Sequence, residues 1–407
     1  MEQKHILVIT QYFHPEPFRI NDMCLEWVKR GYKVSVLTGI PNYPQGEFYE
    51  GYSKKERRTE NWNGVEIIRI PLVARGHSAA KLFLNYLSFV RAGRKWVRRT
   101  KLKADLVFTF EVSPMTQALI GVWYAKKFNV PNYLYVQDLW PENVEVVAGI
   151  TNPLIIKPIS RMVNYIYKNC TKIFATSPSF VKEIQKRVED KEKVLYLPQY
   201  AEDFYQPLPR KPVPEIPNDG RFKIIFTGNI GKAQGLDILP KTAELLKGEN
   251  IVFVIVGDGR YRDEFEKEIR ERGVEDMFIL IPRQPAERIP ELLAVCDAAF
   301  LSFMNTPLFE KTIPAKLQSY MACGMPIIAS ASGETERIIY EADCGLCSPI
   351  GDERALVDKL LSFVRRDDMS LFCHNSEQYC YRFFNKDKTM DIMCEYLRSN
   401  HFEGKSQ

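Results

Sequence analysis

The 407-residue chain lacks the features that define several large classes of protein. It has no run approaching the roughly 18–20 apolar residues that cross a bilayer as one helix. The stretch from Met1 to Thr10 has no basic segment followed by a longer apolar one, so we expect no signal peptide. The nine cysteines are widely spaced and odd in number, which argues against a disulfide framework. The sequence therefore predicts a cytoplasmic protein.

Residues that usually hold metal ions are also scarce. The five histidines form no cluster, and the chain has no Asp-x-Asp motif. Cys344 and Cys347 form a single Cys-x-x-Cys pair, but a zinc site would need a second pair of ligands. We interpret the two cysteines as buried thiols on a short strand, and we expect neither an obligatory metal nor another cofactor.

Acidic residues are under-represented in the first half of the chain. Residues 1–210 carry 31 Lys and Arg against 20 Asp and Glu, whereas residues 211–407 carry 25 against 31. A basic half beside an acidic half suggests that the first half meets an anionic partner.

The depletion is strongest at residues 75–103, which hold nine Lys and Arg but no Asp or Glu. On a helical wheel, Arg91, Arg94, Lys95 and Arg98 share one face. The residues on the opposite face are Leu82, Tyr86, Phe89, Trp96 and Val97. A basic amphipathic helix with aromatic residues is typical of a membrane interface, although a core-packed helix with a solvated basic face is the alternative. No nucleic-acid recognition motif accompanies the charge, so we expect no nucleic-acid partner.

Short apolar runs alternate with helical patterns along the chain. The predicted strands are 5–10, 33–39, 65–71, 105–110, 132–137, 172–175 and 194–198, then 222–227, 252–256, 278–281, 299–303 and 326–330. Most are apolar at successive positions, as strands covered on both faces are. The alternation predicts an α/β protein with two Rossmann-like domains, each with a doubly wound parallel sheet. Ligands of such sheets bind at the carboxyl ends of the strands, and the cleft between two such domains is the expected site.

A proline-rich stretch separates the two sets of strands. Six prolines fall between Pro198 and Pro217, and Asn218-Asp219-Gly220 follows. Because proline fixes φ and removes a backbone donor, this composition predicts a stiff linker. We place the first domain at residues 1–205, the linker at 206–221 and the second domain at 222–384.

Two glycine-containing segments follow predicted strands of the second domain. Phe226 to Gly235 precedes a predicted helix at 236–246, and Val256-Gly257-Asp258-Gly259 ends the next strand. Glycines let backbone N–H groups approach an anion, and the N-terminus of a helix favours negative charge. Each segment alone is equally consistent with a plain tight turn.

A third segment runs from Glu310 to Pro326. Lys316 to Cys323 is predicted to form a helix that Gly324 ends, with Lys316 and Gln318 in its first turn. A lysine beside free N–H groups suits a phosphate, and Glu310 could accept hydrogen bonds from hydroxyl groups. A solvated charged loop is the alternative.

These segments come in the order and approximate spacing found in glycosyltransferase family 4, and the first half of the chain agrees. The agreeing stretches are Gly228–Gly235, Val256–Gly259, Pro314–Pro326, Gly333–Glu336, Gln11–Glu16, Phe18–Asp22, Leu37–Pro44 and Gln137–Glu142. Over roughly residues 1–395 the chain resembles this family, and within it the WbuB-type subfamily. The resemblance implies retaining enzymes of the GT-B fold that build bacterial surface polysaccharides.

Substrates, site and topology are also implied by the resemblance. The donor would be a UDP-sugar, typically UDP-N-acetyl-L-fucosamine, and the acceptor a polyprenyl-pyrophosphate-linked sugar at the inner face of the cytoplasmic membrane. The implied donor site is Gly228, Asn229, Ile230, Gly231, Lys232, Gly257, Arg283, Glu310, Lys316, Gln318 and Ser319. The acceptor side is assigned to Glu16, Arg19, Asn21 and Asp22. A final helix at about 385–400 would return to the first domain.

The chain departs from the family pattern at the pyrophosphate and the ribose. Asn229 and Gln234 stand where the family usually has Arg and Lys, and we predict that Lys232 and Lys316 replace them. The second of two family glutamates would fall at Gln318 or Ser319, neither of which is acidic, so a ribose contact there would be weaker.

Retaining transfer needs positive charge at the leaving phosphate and a positioned acceptor, but no classical base. We predict catalytic roles for Lys232 at the phosphate, Glu310 on the donor and Asp138 on the acceptor. His14, which follows the first strand at the cleft, is a further catalytic candidate. Asp138 could instead cap the N-terminus of a helix, and His14 could be structural.

Two other functions remain open from the sequence. A UDP-N-acetylglucosamine 2-epimerase has the same two-domain architecture but would need no lipid acceptor. A relative that binds the nucleotide without turnover is the third possibility, suggested by the missing ribose glutamate.

Overall fold

The computed structural model describes residues 3–147 and 149–398. They divide into two compact units. Unit 1 contains the described residues up to Leu197 and those from Met390 onward, and unit 2 runs from Pro198 to Thr389.

Unit 1 is built on an eight-stranded sheet. Its strands are β1 His5–Ile9, β2 Lys33–Thr38, β3 Thr59–Trp62, β4 Val65–Arg69, β5 Leu106–Glu111, β6 Asn132–Val136, β7 Lys172–Ala175 and β8 Val194–Tyr196. They lie in the order β3-β4-β2-β1-β5-β6-β7-β8. Every neighbouring pair is parallel except β3–β4. The sequence missed β3 because Thr-Glu-Asn-Trp, on an edge strand left partly exposed, makes no apolar run.

Helices connect these strands and cover the sheet. They are α1 Arg19–Lys29, α2 Ala79–Arg99, α3 Ala118–Phe128, α4 Glu142–Val147, α5 Pro153–Lys168 and α6 Pro178–Gln185. In parallel βα units, each helix begins near the edge where strands end. The site edge of unit 1 therefore carries the loops that follow β1, β2, β4, β5 and β6.

Unit 2 is built on a six-stranded, entirely parallel sheet. Its strands are β9 Phe222–Asn229, β10 Ile251–Asp258, β11 Phe278–Ile281, β12 Ala298–Ser302, β13 Ile327–Ser330 and β14 Gly345–Ser348, in the order β11-β10-β9-β12-β13-β14. Its helices are α7 Ile238–Leu245, α8 Arg262–Arg272, α9 Ile289–Ala294, α10 Pro307–Glu310, α11 Ala315–Ala322, α12 Glu334–Ala342, α13 Glu353–Val364 and α14 Met369–Phe383. The predicted parallel α/β architecture is confirmed in both units. Cys344 and Cys347 are buried thiols at β14, as predicted.

The proline-rich segment packs on unit 2 and is not a free linker. The Arg210 guanidinium donates to Asp297 Oδ1 and to the Val295 carbonyl, both at 2.9 Å. Ile216 enters the apolar core of unit 2 with 4% of its surface exposed. The prolines prevent this segment from joining a sheet as a strand, but the segment still packs against the core of unit 2.

The last helix, α15 Lys386–Arg398, contacts unit 1 through its second half. The Tyr133 hydroxyl donates to the Tyr396 carbonyl at 2.9 Å, and Lys4 Nζ donates to the Leu397 carbonyl at 3.3 Å. Residues 399 and 400 of the predicted helix lie outside the described residues.

Helix α2 packs closely on α3 and leaves its basic face exposed. Its buried residues, Asn85, Phe89, Gly93 and Val97, recur every four positions. A side chain at Gly93 would lie 2.2 Å from Ile120, so glycine permits the close approach. The predicted basic residues Arg91, Arg94, Lys95 and Arg98 are all exposed. Among the described helices, none is both long enough and apolar enough to cross a membrane.

A buried carboxylate holds two loops together at the site edge of unit 1. Glu16 Oε1 accepts hydrogen bonds from the backbone N–H groups of Asn42 and Tyr43, at 2.8 and 2.7 Å. Its Oε2 accepts one from Phe13 N–H at 3.2 Å. Burial nevertheless raises the pKa of Glu16 to about 7, although the three N–H groups act in the opposite direction.

This raised pKa predicts a pH-dependent stability for unit 1. The folded state holds the Glu16 proton more tightly than the unfolded chain, so the contribution is full below about pH 4.5 and is lost as pH rises through 7. Relative to Glu16→Gln, we expect wild-type stability to fall by up to about 3 kcal/mol over this window.

Urea unfolding followed by tryptophan fluorescence measures this effect, because all five tryptophans lie between residues 27 and 140, in unit 1. The Gln variant removes the titration and serves as the reference at every pH. A difference between the two proteins that stays constant from pH 4.5 to 7.5 would contradict the prediction.

Candidate functional site

The ends of β9 and β10 in unit 2 approach each other more closely than side chains would allow. Gly228 pairs with Gly257 in the parallel register, and a Cβ atom at Gly257 would lie 1.9 Å from the Gly228 carbonyl oxygen. Gly228 has φ +132°, and a Cβ there would contact only the Lys316 side chain, 3.5 Å from Nζ. The two glycines thus leave an open backbone edge beside an amine.

Lys316 is the positive group at this edge. It lies in the first turn of α11, its Nζ donates to Gln234 Oε1, and it stands 3.9 Å from the centre of the Phe226 ring. It makes no ion pair within the part of the chain that the structure describes. Burial lowers the pKa of Lys316 to about 7, so an anion beside it would favour the charged form.

Hydrogen bonds fix the loop that carries Gln234. Thr227 N–H donates to the Tyr320 hydroxyl at 2.8 Å, and Ser302 Oγ donates to the Gln234 carbonyl at 2.6 Å. A side chain at Gly235 would lie 2.4 Å from the Phe303 carbonyl, so glycine is needed where the loop crosses β12. Contacts with the strands and helices of unit 2 therefore fix the position of the Gln234 loop, which binds the Lys316 amine.

Glu310 and Arg283 are exposed at the same edge of the unit 2 sheet. Glu310 ends the short helix α10, and its backbone packs against Gly333, where a Cβ would lie 2.0 Å from the Glu310 carbonyl. Arg283 follows the end of β11. Both side chains are exposed, and their contacts with a donor stay a prediction.

The structure places four of the predicted donor-site residues differently. Lys232 is directed to Glu264 on α8, at 3.3 Å, with 73% of its side chain exposed. Ile230 is a core residue whose N–H donates to the Asp258 carbonyl, so that N–H cannot bind a phosphate. Gln318 and Ser319 are buried on α11, where Ser319 Oγ donates to the Ala315 carbonyl. With its amide oriented to suit its neighbours, Gln318 donates to Pro314 and Ala315 carbonyls.

Polar side chains also gather at the site edge of unit 1. Asp138 follows β6, and its Oδ2 accepts a hydrogen bond from Ser113 N–H at 2.7 Å. Ser113 Oγ in turn accepts one from Trp140 Nε1 at 3.1 Å. Burial raises the pKa of Asp138. This carboxylate binds the loop after β5 and does not cap helix α4, so the alternative interpretation of Asp138 is wrong.

Glu111, at the end of β5, lies beside Asp138. Both of its carboxylate oxygens are buried, and the backbone N–H groups of Gln137 and Asp138 are the donors that face them. Burial raises the pKa of Glu111 well above its usual range, and the negative charge of Asp138 raises it further. Burial thus favours the neutral form of both carboxyl groups, and at Glu111 the neighbouring charge of Asp138 favours it further.

Tyr86, on α2, lies within electrostatic range of both Asp138 and Arg75. Burial raises the pKa of Tyr86, Arg75 lowers it, and Asp138 raises it, so one phenol interacts with both charges. Arg75 Nη1 also donates to the Tyr12 hydroxyl at 2.8 Å. Sequence analysis missed Arg75, Tyr12, Tyr86 and Ser113, although Arg75 opens the basic stretch.

Two of the predicted acceptor-side residues, Glu16 and Asn21, form hydrogen bonds that hold loops of unit 1 in place. Asn21 Oδ1 accepts from His14 N–H, and Asn21 Nδ2 donates to the Glu16 carbonyl, at 3.1 and 2.8 Å. Glu16 is buried as described above, and Arg19 and Asp22 are half-buried on α1.

His14 and Asp138 are not brought together. The His14 ring stacks on Trp62 of β3 at 4.2 Å, and its carbonyl accepts from Arg69 of β4 at 2.8 Å. Asp138 follows β6, beyond β2, β1 and β5. The structure thus gives His14 a stacking contact at the β3–β4 end of the sheet, away from Asp138, and its catalytic role stays a prediction.

Two protein-family models match this chain. Residues 18–199 match the family described as glycosyl transferase 4-like domain, and residues 210–378 match glycosyl transferases group 1. Together they cover most of unit 1 and most of unit 2.

Relatives and solved structures agree. WbjE of Pseudomonas aeruginosa, named a probable glycosyltransferase, is 27% identical over 58% of this chain, but the match spans only 60% of WbjE. WcaI of Escherichia coli K12, named a putative colanic acid biosynthesis glycosyl transferase, is 25% identical over 77% of this chain and 79% of its own. HepE of Anabaena, solved with UDP and glucose, shares the fold with a TM-score of 0.71 at 13% identity, covering 98% of this chain and all of its own. The chain therefore joins a glycosyl transferase 4-like domain to a group 1 glycosyl transferase domain, and it is a glycosyltransferase with the GT-B fold.

Proposed function

We propose that the chain is a retaining transferase that moves a sugar from a UDP donor to a polyprenyl-pyrophosphate-linked sugar. The proposed donor sugar is N-acetyl-L-fucosamine or a related N-acetylhexosamine, as the resemblance to WbuB-type enzymes implies. The proposed role is the synthesis of O-antigen, capsule or exopolysaccharide at the inner face of the cytoplasmic membrane. The name of WcaI, a colanic acid biosynthesis enzyme, supports this role.

The observation that carries the donor half is the Lys316 amine beside the Gly228–Gly257 edge. A half-buried amine without a carboxylate partner is costly unless an anion neutralises it, and a nucleoside diphosphate would do so. Lys316 donates to Gln234, which stands where the family usually has a lysine. This contact supports Lys316 as the replacement for that lysine. HepE was solved with UDP, which supports the same ligand class here.

The chemistry follows from the groups at the two edges. An acceptor hydroxyl oxygen forms a bond to the anomeric carbon of the donor sugar while the bond between that carbon and the β-phosphate oxygen breaks. The departing phosphate takes the proton of the hydroxyl group. Lys316 stabilises the charge on the leaving phosphate, which is the largest electrostatic demand of the step. Glu310 holds hydroxyl groups of the donor sugar, and Asp138 orients the acceptor hydroxyl. No metal is required for this sequence.

The basic face of α2 is proposed to hold the enzyme at an anionic membrane surface. Arg91, Arg94, Lys95 and Arg98 are exposed on it, and Phe83, with 65% exposure, adds an apolar contact near the N-terminus of the helix. Helices α2, α3 and α5 contain no acidic residue, so nothing on them opposes this attraction.

Transfer is tested directly with a panel of UDP-sugars that includes UDP-N-acetyl-L-fucosamine, and with a polyprenyl-pyrophosphate-linked N-acetylhexosamine. We expect UDP release and a lipid product heavier by one sugar in mass spectrometry, undiminished by EDTA. Glu310→Gln should lower kcat at least about 100-fold without changing Tm, because the residue is exposed.

Glu275→Gln is the matched control, since Glu275 is exposed but precedes β11, at the opposite edge of the sheet. Conversion of one UDP-sugar into its epimer would show that the epimerase interpretation is correct. UDP-sugar binding without turnover on any acceptor would favour the binding-only relative.

A second prediction concerns the pH dependence of donor binding. Because the pKa of Lys316 is about 7, its charged fraction grows as pH falls, and affinity for the donor should rise from pH 8.5 to pH 6. Above pH 7 the rise should approach tenfold per pH unit. The UDP-sugar itself is a suitable ligand in calorimetry, since its phosphate diester groups do not titrate in this range.

Lys316→Arg keeps the charge at every pH, so its donor affinity should vary little over the same range. Wild-type affinity that is constant between pH 6 and pH 8.5 would contradict the assignment of Lys316 to the phosphate.

A third prediction concerns the membrane face. The double change Arg94→Glu and Arg98→Glu should weaken binding to vesicles of anionic lipid about 30-fold or more, since each basic residue contributes about 1 kcal/mol. Sedimentation with the vesicles measures the bound fraction. Lys182→Glu with Lys191→Glu makes the same charge change elsewhere on unit 1 and should bind as the wild type does. Equal loss in both double variants would show only a general effect of net charge.

A further inference from the structure

One arginine at the site edge of unit 1 has no carboxylate partner among the described residues. Arg75 lies between β4 and α2, half-buried. Its backbone N–H donates to Asn42 Oδ1 at 2.9 Å, its Nη1 donates to the Tyr12 hydroxyl, and its guanidinium lies 5.3 Å from the centre of the Tyr43 ring. The groups that face it are phenols. Its positive charge is therefore held in place but not neutralised.

The neighbouring arginine shows the contrast. Arg69, at the end of β4, is 1% exposed and pairs with Glu60 at 2.7 Å. It also donates to the carbonyls of His14 and Arg57, at 2.8 and 3.2 Å. Arg69 thus serves the fold, with its charge balanced by a carboxylate. Arg75 is also held by hydrogen bonds near the end of β4, but no carboxylate among the described residues balances its charge.

Aromatic packing makes the surroundings of Arg75 rigid. The Tyr12 and Phe18 rings stack at 5.2 Å, and Tyr43 lies 5.5 Å from Tyr12 and 5.3 Å from Phe18. Gln11 Nε2 donates to Asn85 Oδ1 at 2.6 Å, which joins the end of β1 to α2. Such a site is formed before any ligand arrives, which lowers the entropic cost of binding.

Two further features indicate what kind of anion would bind. Tyr86 lies within electrostatic range of both Arg75 and Asp138, so the arginine and the carboxylate belong to the same region of the unit 1 edge. Helix α2 begins four residues after Arg75 and exposes Phe83, Leu84 and Leu87 in its first three turns. The cation is thus close in the chain to an exposed apolar surface, and a carboxylate from a later loop lies within electrostatic range of the same tyrosine.

We propose that Arg75 binds the pyrophosphate of the lipid-linked acceptor, while Asp138 meets a hydroxyl of the sugar that this pyrophosphate carries. The proposal rests on the proposed function and names the group that recognises its acceptor. A guanidinium presents a planar fork of donors that matches phosphate oxygens, whereas a hydroxyl suits a carboxylate acceptor. The polyprenyl chain would leave the site over Phe83, Leu84 and Leu87. We assign the acceptor to this site instead of to the residues predicted from the sequence. Of those residues, Glu16 and Asn21 form hydrogen bonds within their own loops.

The test compares two acceptors with the same sugar, one on polyprenyl pyrophosphate and one on an uncharged alkyl chain. For wild type we expect a strong preference for the pyrophosphate acceptor. Arg75→Gln should raise KM for that acceptor at least about tenfold. KM for the uncharged acceptor and for the UDP-sugar should stay unchanged. A purely structural role would raise KM for both acceptors alike and would overturn the proposal.

Two variants complete the comparison. Arg75→Lys keeps the charge without the fork and should fall between wild type and Arg75→Gln, which tests the role even if the Gln variant is less stable. Arg161→Gln removes an exposed arginine from α5 and should leave both KM values unchanged.

Direct binding separates this proposal from the proposed function. By calorimetry, wild type should bind farnesyl pyrophosphate at least about tenfold more tightly than Arg75→Gln does, and farnesol should bind both equally. This difference should appear even if no transfer is found, in which case only the proposed function fails. If inorganic pyrophosphate binds wild type as tightly as farnesyl pyrophosphate does, the site is a general anion site and the lipid part of the proposal is overturned.

Discussion

The close approach of two backbone segments, Gly228 at the end of β9 and Gly257 at the end of β10, is the constraint on which the unit 2 site depends. A methyl group at Gly257 would overlap the Gly228 carbonyl, so β9 and β10 could not stay paired to their ends. Pairing to the last residue leaves a backbone edge with no side chain in front of it. Lys316 can then stand beside that edge, with its amine 3.5 Å from the place that a Cβ atom of residue 228 would take.

The fold gives that amine no carboxylate among the described residues, so an anionic ligand is needed to stabilise its charged form. Lys316 is directed to the Gln234 amide and the Phe226 ring, which satisfy its geometry without cancelling its charge. Lys232, by contrast, is already paired with Glu264 at the surface, where an ion pair contributes little and can open. Of these two lysines, Lys316 can therefore bind an anionic ligand, whereas Lys232 forms an ion pair at the solvent-exposed surface.

Sequence patterns predicted the fold well, because a buried parallel strand leaves a continuous apolar run that survives without its neighbours. The same reasoning found the glycine segments and Lys316, whose roles depend on where a strand or helix ends. It did not foresee that Glu16, in a loop of unit 1, and Gln318, in the first turn of α11, would bind backbone groups of their own units. Whether such a residue faces a ligand or ties its own loop depends on backbone N–H groups far away in sequence, such as those of Asn42 and Tyr43. Arg75 was missed for the converse reason, since no pattern shows that a basic residue lacks a partner.

The two units solve the same recognition problem with different residues. Each has a cation without a carboxylate partner among the described residues, Lys316 in one and Arg75 in the other. Each also has a carboxylate at the same edge of its sheet, Glu310 or Asp138. A nucleotide sugar and a lipid-linked sugar are both sugars carried on a pyrophosphate, so the same pair of groups suits both. In the proposed function the cation would meet the diphosphate and the carboxylate would meet sugar hydroxyls, and this common task would account for one arrangement of charge in two unrelated sequences. The donor and acceptor sites would then differ in the other groups that surround the cation and the carboxylate at each sheet edge. A bare glycine backbone fits the nucleotide, and an aromatic wall beside a basic amphipathic helix fits the lipid.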